Sequence, residues 1–268
     1  MSFFSHFFDL LCPPICIFCN NVLDDTARTT YHLKSTSICP ACIQNVIIPK
    51  EQLCPRCGGH VHSHMKSTNN CFHCKTLRLH FKKAIALGLY KDDLRNLVLR
   101  MKTDKTGILA RSAARILLES RLSELEAVQA DYVVPVPMHR SRRAERGVNS
   151  PDLLSEEIGL RLKIPTIRQL VVRSRQTYLQ YTLSQRLRVS NVKEAFSLSV
   201  PHCWTRLFLR RSPVSLADKT ILLVDDILTT GSTCNEITRI LRLSGVRSVS
   251  VVVLARALGN VLYGTQTQ

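Results

Sequence analysis

Two groups of residues have the types and spacing that chemistry requires. The first lies in Ile221–Thr233, ILLVDDILTTGST, where Asp225 and Asp226 follow aliphatic residues and precede Thr229, Thr230, Gly231, Ser232 and Thr233. An apolar run closed by turn residues reads as a strand buried on both faces of a parallel sheet. The hydroxyl-bearing loop behind it opens onto a helical pattern, and a helix N-terminus offers a phosphate unpaired N–H groups and a positive dipole end. The two carboxylates would repel that phosphate. They suit instead the vicinal hydroxyls of a ribose, or a magnesium ion carried with it. The stretch therefore describes a sugar phosphate lying across the C-terminal edge of a sheet, where open α/β folds bind ligands. A buried strand ending in an ordinary polar turn is the plainer explanation, but this whole succession of residues is hard to obtain by chance.

The second group is cysteine. Cys16-x-x-Cys19, Cys39-x-x-Cys42, Cys54-x-x-Cys57 and Cys71-x-x-Cys74 are knuckles in series. Two intervening residues let both sulfurs of a tight turn face one ion, and two such turns complete a tetrahedral set. Joining first to second and third to fourth gives two consecutive zinc ribbons, each with a structural Zn²⁺; an interleaved cross-brace is the other pairing. Cys12, Cys203 and Cys234 read as ordinary residues, and His60, His62, His64 and His73 as surface groups or supports behind the ligands. No apolar stretch is long enough to span a bilayer, and the opening MSFFSHFFDLL lacks the basic start of an export signal. The expectation is a cytoplasmic chain with reduced cysteines, its first residues forming a short helix packed on their own domain.

The elements that must hold these groups come next. A chain of 268 residues allows one main domain with an appendage: ribbons over residues 1–80, an α/β domain over 81–268. Asp92 or Asp93 can cap a helix buried through Leu94, Leu97, Val98 and Met101, and a second helical pattern runs through Ile108, Ala113, Ile116 and Leu117. Tyr132–Val136 is a short buried strand turned out of its sheet by Pro137. The loop after it carries His139, Arg140, Arg142, Arg143 and Arg146. Such a loop could grip a diphosphate, hold a nucleic-acid backbone, or simply be solvated. A helix from about Pro151 to Leu162 and a strand through Ile167–Val172 follow. Arg173, Arg175, Gln180, Arg186 and Arg188 then suit a flap closing over a ligand, or a basic surface loop. With 37 basic against 20 acidic residues the net charge is +17, which favours anionic partners.

The DDILTTGST stretch resembles the phosphoribosyl-pyrophosphate (PRPP) motif of the type I phosphoribosyltransferases. Further matches extend along the chain: the knuckles; Tyr90 with Leu94-Arg95 and Met101-Lys102; Pro135-Val136-Pro137; Arg146-Gly147 and Asn149. Arg173, Arg175, Thr177, Gln180, Leu183, Arg186, Asn191, Ala195-Phe196 and finally Leu254-Ala255-Arg256 continue the series. Together they resemble the ComF family, competence-associated double-zinc-ribbon homologues of those enzymes. Val148, Ser150 and Gln185 replace an aromatic, a glutamine and an acid usual in the family, and His202–Pro213 looks like added length.

The resemblance implies an α/β, type I phosphoribosyltransferase-like fold, a mainly parallel sheet flanked by helices, with a small N-terminal double zinc ribbon. It implies Asp225 and Asp226 on the ribose hydroxyls, directly or through Mg²⁺, and Thr229, Thr230, Gly231, Ser232 and Thr233 around the 5′-phosphate. Pro137, Met138, His139 and Arg140 would form a pyrophosphate loop, and Arg173, Arg175 and Arg186 would join the two acids in catalysis. The expected reaction displaces pyrophosphate at the anomeric carbon, with an unidentified acceptor. A role in DNA uptake during natural transformation follows, with competence proteins such as a helicase-like ATPase as partners. The other expectation is a non-catalytic regulatory or single-stranded-DNA-binding module that retains the nucleotide pocket.

Overall fold

Continuous aliphatic runs, rather than alternating ones, build the central sheet. Its strands are β1 (Ala84–Leu89), β2 (Tyr132–Pro135), β5 (Thr220–Leu228) and β6 (Ser248–Arg256). Their order is β1-β6-β5-β2, and every neighbouring pair is parallel. The computed structural model describes residues 13–23, 38–61, 71–139, 141, 143–144, 147–174, 194–199 and 215–258. The helices are α1 (Pro40–Val46), α2 (Asp92–Met101), α3 (Ile108–Glu126), α4 (Ser150–Leu162) and α5 (Ser232–Leu243). Short strands β3 (Val171–Arg173) and β4 (Phe196–Leu198) form a separate antiparallel pair.

The aliphatic runs are explained by two apolar layers, one on each face of the sheet. Ile85, Leu87, Val133, Leu222, Val224, Val252 and Leu254 pack with α2, α3 and α4. Their sequence neighbours Ala84, Ala86, Val134, Ile221, Leu223, Val251 and Val253 pack with α5 and the β3–β4 pair. A strand covered on both faces has no solvent side to mark with polar residues. The expected parallel sheet with helices on both faces is what the chain forms.

Helix α2 buries Leu94, Leu97, Val98 and Met101 as their spacing predicts. Its N-cap is Lys91, so Asp92 and Asp93 sit in the first turn instead of capping it. There they still favour the positive dipole end, and Asp93 accepts a hydrogen bond from Asn45 at 2.8 Å. The strand expected through Ile167–Val172 is divided. Thr166 bridges to Val133 and the Ile167 N–H donates to the Val133 carbonyl, extending the main sheet by its β2 edge. The chain then leaves for the second sheet, where pairing starts at Val171.

The cysteine-bearing segment is laid along edge strand β1. Helix α1 packs against α2, and the Ile48 N–H donates to the Leu87 carbonyl at 3.1 Å. Buried Arg121 of α3 donates to the carbonyls of Ala86 at 2.9 Å, Leu87 at 3.0 Å and Ile48. Gly88 makes this approach possible: a Cβ there would lie 2.6 Å from the Val46 carbonyl oxygen. The Phe-rich start of the chain lies outside the described residues. Among the described residues no helix is long and apolar enough to cross a membrane.

Candidate functional site

The site follows from unequal strand lengths. Strand β2 ends at Pro135, opposite Val224, and the Val136 N–H reaches the Val224 carbonyl at 2.8 Å before Pro137 turns the chain away. Strand β5 continues to Leu228, because β6 pairs with it through Ile227↔Ala255 and Leu228↔Arg256. The strand therefore runs further than its aliphatic residues suggest and carries Asp225 and Asp226 past the end of β2. A cavity of about 730 Å³ opens beside this overhang. Asp225, Asp226, Thr229, Gly231, Ser232 and Thr233 line it, with Pro137 and Met138 from the loop after β2 and Arg173 from β3.

The loop after β5 meets helix α5 at Gly231, its N-cap, with φ 79°. This left-handed conformation is cheap only for glycine. The Ser232 N–H, the first of α5, donates to the Thr230 hydroxyl at 3.4 Å, and this end of the helix, whose dipole favours an anion, faces the cavity. Thr230 does not line the cavity; its hydroxyl pairs with the Ser232 hydroxyl at 2.6 Å. His139 also stays out, its Nδ1 bonded to the Ser141 hydroxyl at 2.8 Å. Arg140, Arg175 and Arg186 lie outside the described residues. Arg173 stands 5.4 Å from the ring centre of Phe196, a cation–π contact tying β3 to β4.

Several wall residues were quoted in the resemblance without a role, and their placement supplies one. Tyr90, Arg95 and Lys102 all face the cavity from α2 and its ends. The Lys102 ammonium stands 3.6 Å from Asp226. Buried Asn149 donates to Asp152 at 2.7 Å and approaches the Val136 carbonyl at 3.5 Å, while Arg143 donates to the other Asp152 oxygen at 2.5 Å. This buried network anchors both ends of the basic loop. Asp152 carries no local sequence signal, and the role of Lys102 is given only by its distant partner.

The two carboxylates stand close enough to oppose each other's ionisation. Asp225 keeps some surface in the cavity. Burial, followed by the charge of Asp226, nonetheless holds its carboxyl well above the usual carboxylate range. The Asp226 N–H, donated to Asp225 at 2.9 Å, and the charge of Lys102 work the other way without prevailing. Cys234, which reads as an ordinary residue from sequence, is in the cavity wall. Burial, then the charges of Asp225 and Asp226, push its thiol up, so it remains a neutral weak donor to Asp225. Oxygen donors from two carboxylates at an open cavity suit Mg²⁺, which keeps most of its shell for water and phosphate.

The cysteines fall into two tetrads, Cys16/Cys19/Cys39/Cys42 and Cys54/Cys57/Cys71/Cys74, with all sulfurs of a set within 4.8 Å of one another. First joins second and third joins fourth, the nearest-neighbour arrangement. A tetrahedral ion with Zn–S of about 2.3 Å places its sulfurs about 3.8 Å apart. The observed separations are 3.7 Å for Cys19–Cys39, 3.9 Å for Cys54–Cys74 and 3.8 Å for Cys57–Cys71. Cys16 Sγ also receives N–H groups from Phe18, Cys19 and Cys39 at 3.3–3.5 Å. Burial opposes ionisation of this thiol, but the backbone donors outweigh it and bring its pKa to about 7. Both donor sets fit a tetrahedral thiolate-bound metal, and the second is fully buried.

The family description "Phosphoribosyl transferase domain" matches residues 167–261. Competence protein F of Haemophilus influenzae is 32% identical over 235 residues, covering 86% of this chain and 95% of that protein. The chain belongs to the ComF family. DNA utilization protein YhgH of Escherichia coli is 29% identical, covering 93% of this ComF-family chain and 100% of that protein. Competence protein ComFC of Streptococcus pneumoniae is 25% identical, over 90% and 99% of the two chains. Its sheet, the domain match and these relatives identify a type I phosphoribosyltransferase fold. The purine phosphoribosyltransferase of Pyrococcus horikoshii, 14% identical, covers 64% of this chain and 78% of its own with a TM-score of 0.32, too loose an overlay to add to that.

Proposed function

We propose that this chain binds PRPP, or a nucleotide made from it, in the cavity beside β5 and acts as a phosphoribosyltransferase. The observation that carries this reading is the meeting of three groups in one cavity: the Asp225–Asp226 pair, the N-terminus of α5 and the loop after β2. In this reading the backbone of 229–233 and the hydroxyls of Thr229, Ser232 and Thr233 hold the 5′-phosphate, Thr230 bracing Ser232 from behind, and Asp225 and Asp226 take the ribose hydroxyls. Pro137 and Met138 face the pyrophosphate, and Arg173 in the cavity wall offers its oxygens a guanidinium. The acceptor displaces pyrophosphate at the anomeric carbon, while the two carboxylates offset positive charge growing on the ribose. Magnesium brought with the ligand supplies charge to the leaving group. Zn²⁺ in each cysteine tetrad completes the N-terminal part, which we divide from the α/β domain near residue 80.

The relatives' names, competence protein and DNA utilization protein, support a role in DNA uptake, which we assign to the cytoplasm. A net charge of +17 favours a second reading, a module that holds single-stranded DNA and keeps the pocket for regulation. One experiment separates them. A ligand at a hundred times its Kd stabilises the native state by about 2.7 kcal/mol, or several degrees in Tm. PRPP with Mg²⁺ is expected to produce that shift and to release pyrophosphate when an acceptor is present. Both effects should vanish in the Asp225→Asn/Asp226→Asn variant. No shift in the wild type refutes the pocket; salt-dependent oligonucleotide binding without turnover, unchanged in the variant, selects the second reading.

A further inference from the structure

Arg256, the last residue of β6, is 5% exposed. Its Nε–H donates to the Cys57 carbonyl at 2.9 Å. Nη1 donates to the carbonyls of Leu228 at 2.9 Å, Ala257 at 2.5 Å and Thr229. Cys57 belongs to the second tetrad, and Leu228 and Thr229 open the loop into α5. One guanidinium, 199 residues along the chain from Cys57, thus joins the backbone of a cysteine knuckle to the backbone beside Asp225.

The charge of this arginine needs an explanation. A buried cation without a counter-charge costs several kcal/mol, and all of these acceptors are neutral carbonyls. Burial works against the charge of Arg256, and the sulfurs of Cys57, Cys71 and Cys74 favour it. Four thiolates around one divalent ion carry a net charge of about −2. A metal in this tetrad therefore supplies the opposite charge that Arg256 lacks among its hydrogen-bond partners. The first tetrad is held differently: the exposed Arg100 of α2 donates to the Ile17 and Phe18 carbonyls at 2.5 Å, and Cys16 and Cys42 belong to the apolar layer on the opposite face of the sheet.

We propose that Arg256 couples the second cysteine tetrad to the loop 228–233, so that the metal centre sets the loop's affinity for a phosphorylated ligand. Arg256 is a positioning residue here, and the proposal rests on reading that loop as the phosphate site. Coupling between two sites is reciprocal. PRPP binding should therefore be felt at the knuckle containing Cys57 and not at the knuckle containing Cys16.

The test is amide hydrogen exchange on the zinc-loaded wild-type chain with and without PRPP and Mg²⁺, alongside titrations of Arg256→Lys and Arg256→Met. In the wild type, PRPP should slow exchange both at 229–233 and at 55–59, leaving 17–21 unchanged. Arg256→Lys keeps the cation and should retain two zinc ions. Losing the fork should still weaken PRPP binding roughly tenfold, within the range typical of coupled sites, and abolish protection at 55–59. Arg256→Met should in addition release zinc from the second tetrad faster to a chelating dye. Protection of 229–233 without 55–59 in the wild type overturns the coupling, as does wild-type affinity in Arg256→Lys. A wild-type chain that binds no PRPP overturns the reading of the loop itself, and the proposal with it.

Discussion

Asp225 gives the sharpest test of whether the cavity is built for a ligand or only for the fold. Its carboxyl is pushed well up by burial and then by the charge of Asp226. The folded chain therefore holds a proton that the unfolded chain has released. Stability from this group is fully present below the unfolded value of about 3.9, is lost as pH rises towards the higher folded value, and is flat above it. Each tenfold change in proton affinity corresponds to about 1.4 kcal/mol, or about 3–6 °C in Tm for a chain of this size. Asp225→Asn removes the ionisation and keeps a carbonyl oxygen for the Asp226 N–H, now accepted at 2.9 Å. The variant without ligand should melt above the wild type at pH 7 and lose that advantage near pH 4. Adding PRPP and Mg²⁺ should reverse the order, because only the wild type binds. Calorimetry at several pH values, with and without ligand, reads all of this. A ligand-free variant that is less stable than the wild type by the same margin at pH 4 and pH 7 would refute the reasoning and make Asp225 a structural residue.

Two further outcomes follow from the geometry. Freshly purified reduced protein should contain two zinc ions per chain by elemental analysis; Cys57→Ser should lose one of them and Cys19→Ser the other, while a wild-type value near zero would contradict the tetrads. Asp152→Ala strands the buried Asn149 amide and releases Arg143, so it should cost about 1–3 kcal/mol in thermal or denaturant unfolding. It should also weaken PRPP binding through the basic loop, and unchanged affinity would show that the Asn149–Asp152–Arg143 network does not shape the site.

What the sequence made legible is what depends on local pattern. Aliphatic runs marked β5 and β2, spacing marked α2, and the paired cysteines marked both tetrads together with their pairing. Asp225, Asp226 and Gly231 were readable because a strand, a turn and a helix start within a few residues of one another. The rest depended on distance. Asp92 and Asp93 look like caps, but the extended backbone of Lys91 fixes the helix start one residue earlier. Ile167 looks like part of one strand, but its N–H serves β2 while Val171 serves β4. Lys102 gains its place only through Asp226, and Cys234 only because α5 swings it beneath Asp225.

The two buried arginines show why such links escape a sequence. Arg121 holds the carbonyls of Ile48, Ala86 and Leu87 at the β1 edge, and Arg256 holds those of Cys57, Leu228 and Thr229 beyond the end of β6. Each sits where strand pairing stops and adds donors to buried carbonyls there, some of which, such as Leu87 and Leu228, already accept one backbone N–H. A guanidinium offers five donors in a fixed fork, enough to gather acceptors from segments that share no ladder. The acceptors are main-chain atoms, so any residue type could stand at those positions and no partner motif is written beside them. Both arginines fasten the cysteine-bearing segment to the sheet, but only Arg256 also holds the loop beside the two aspartates. For that reason, losing Arg121 should loosen the fold as a whole, whereas losing Arg256 should be felt first at the ligand.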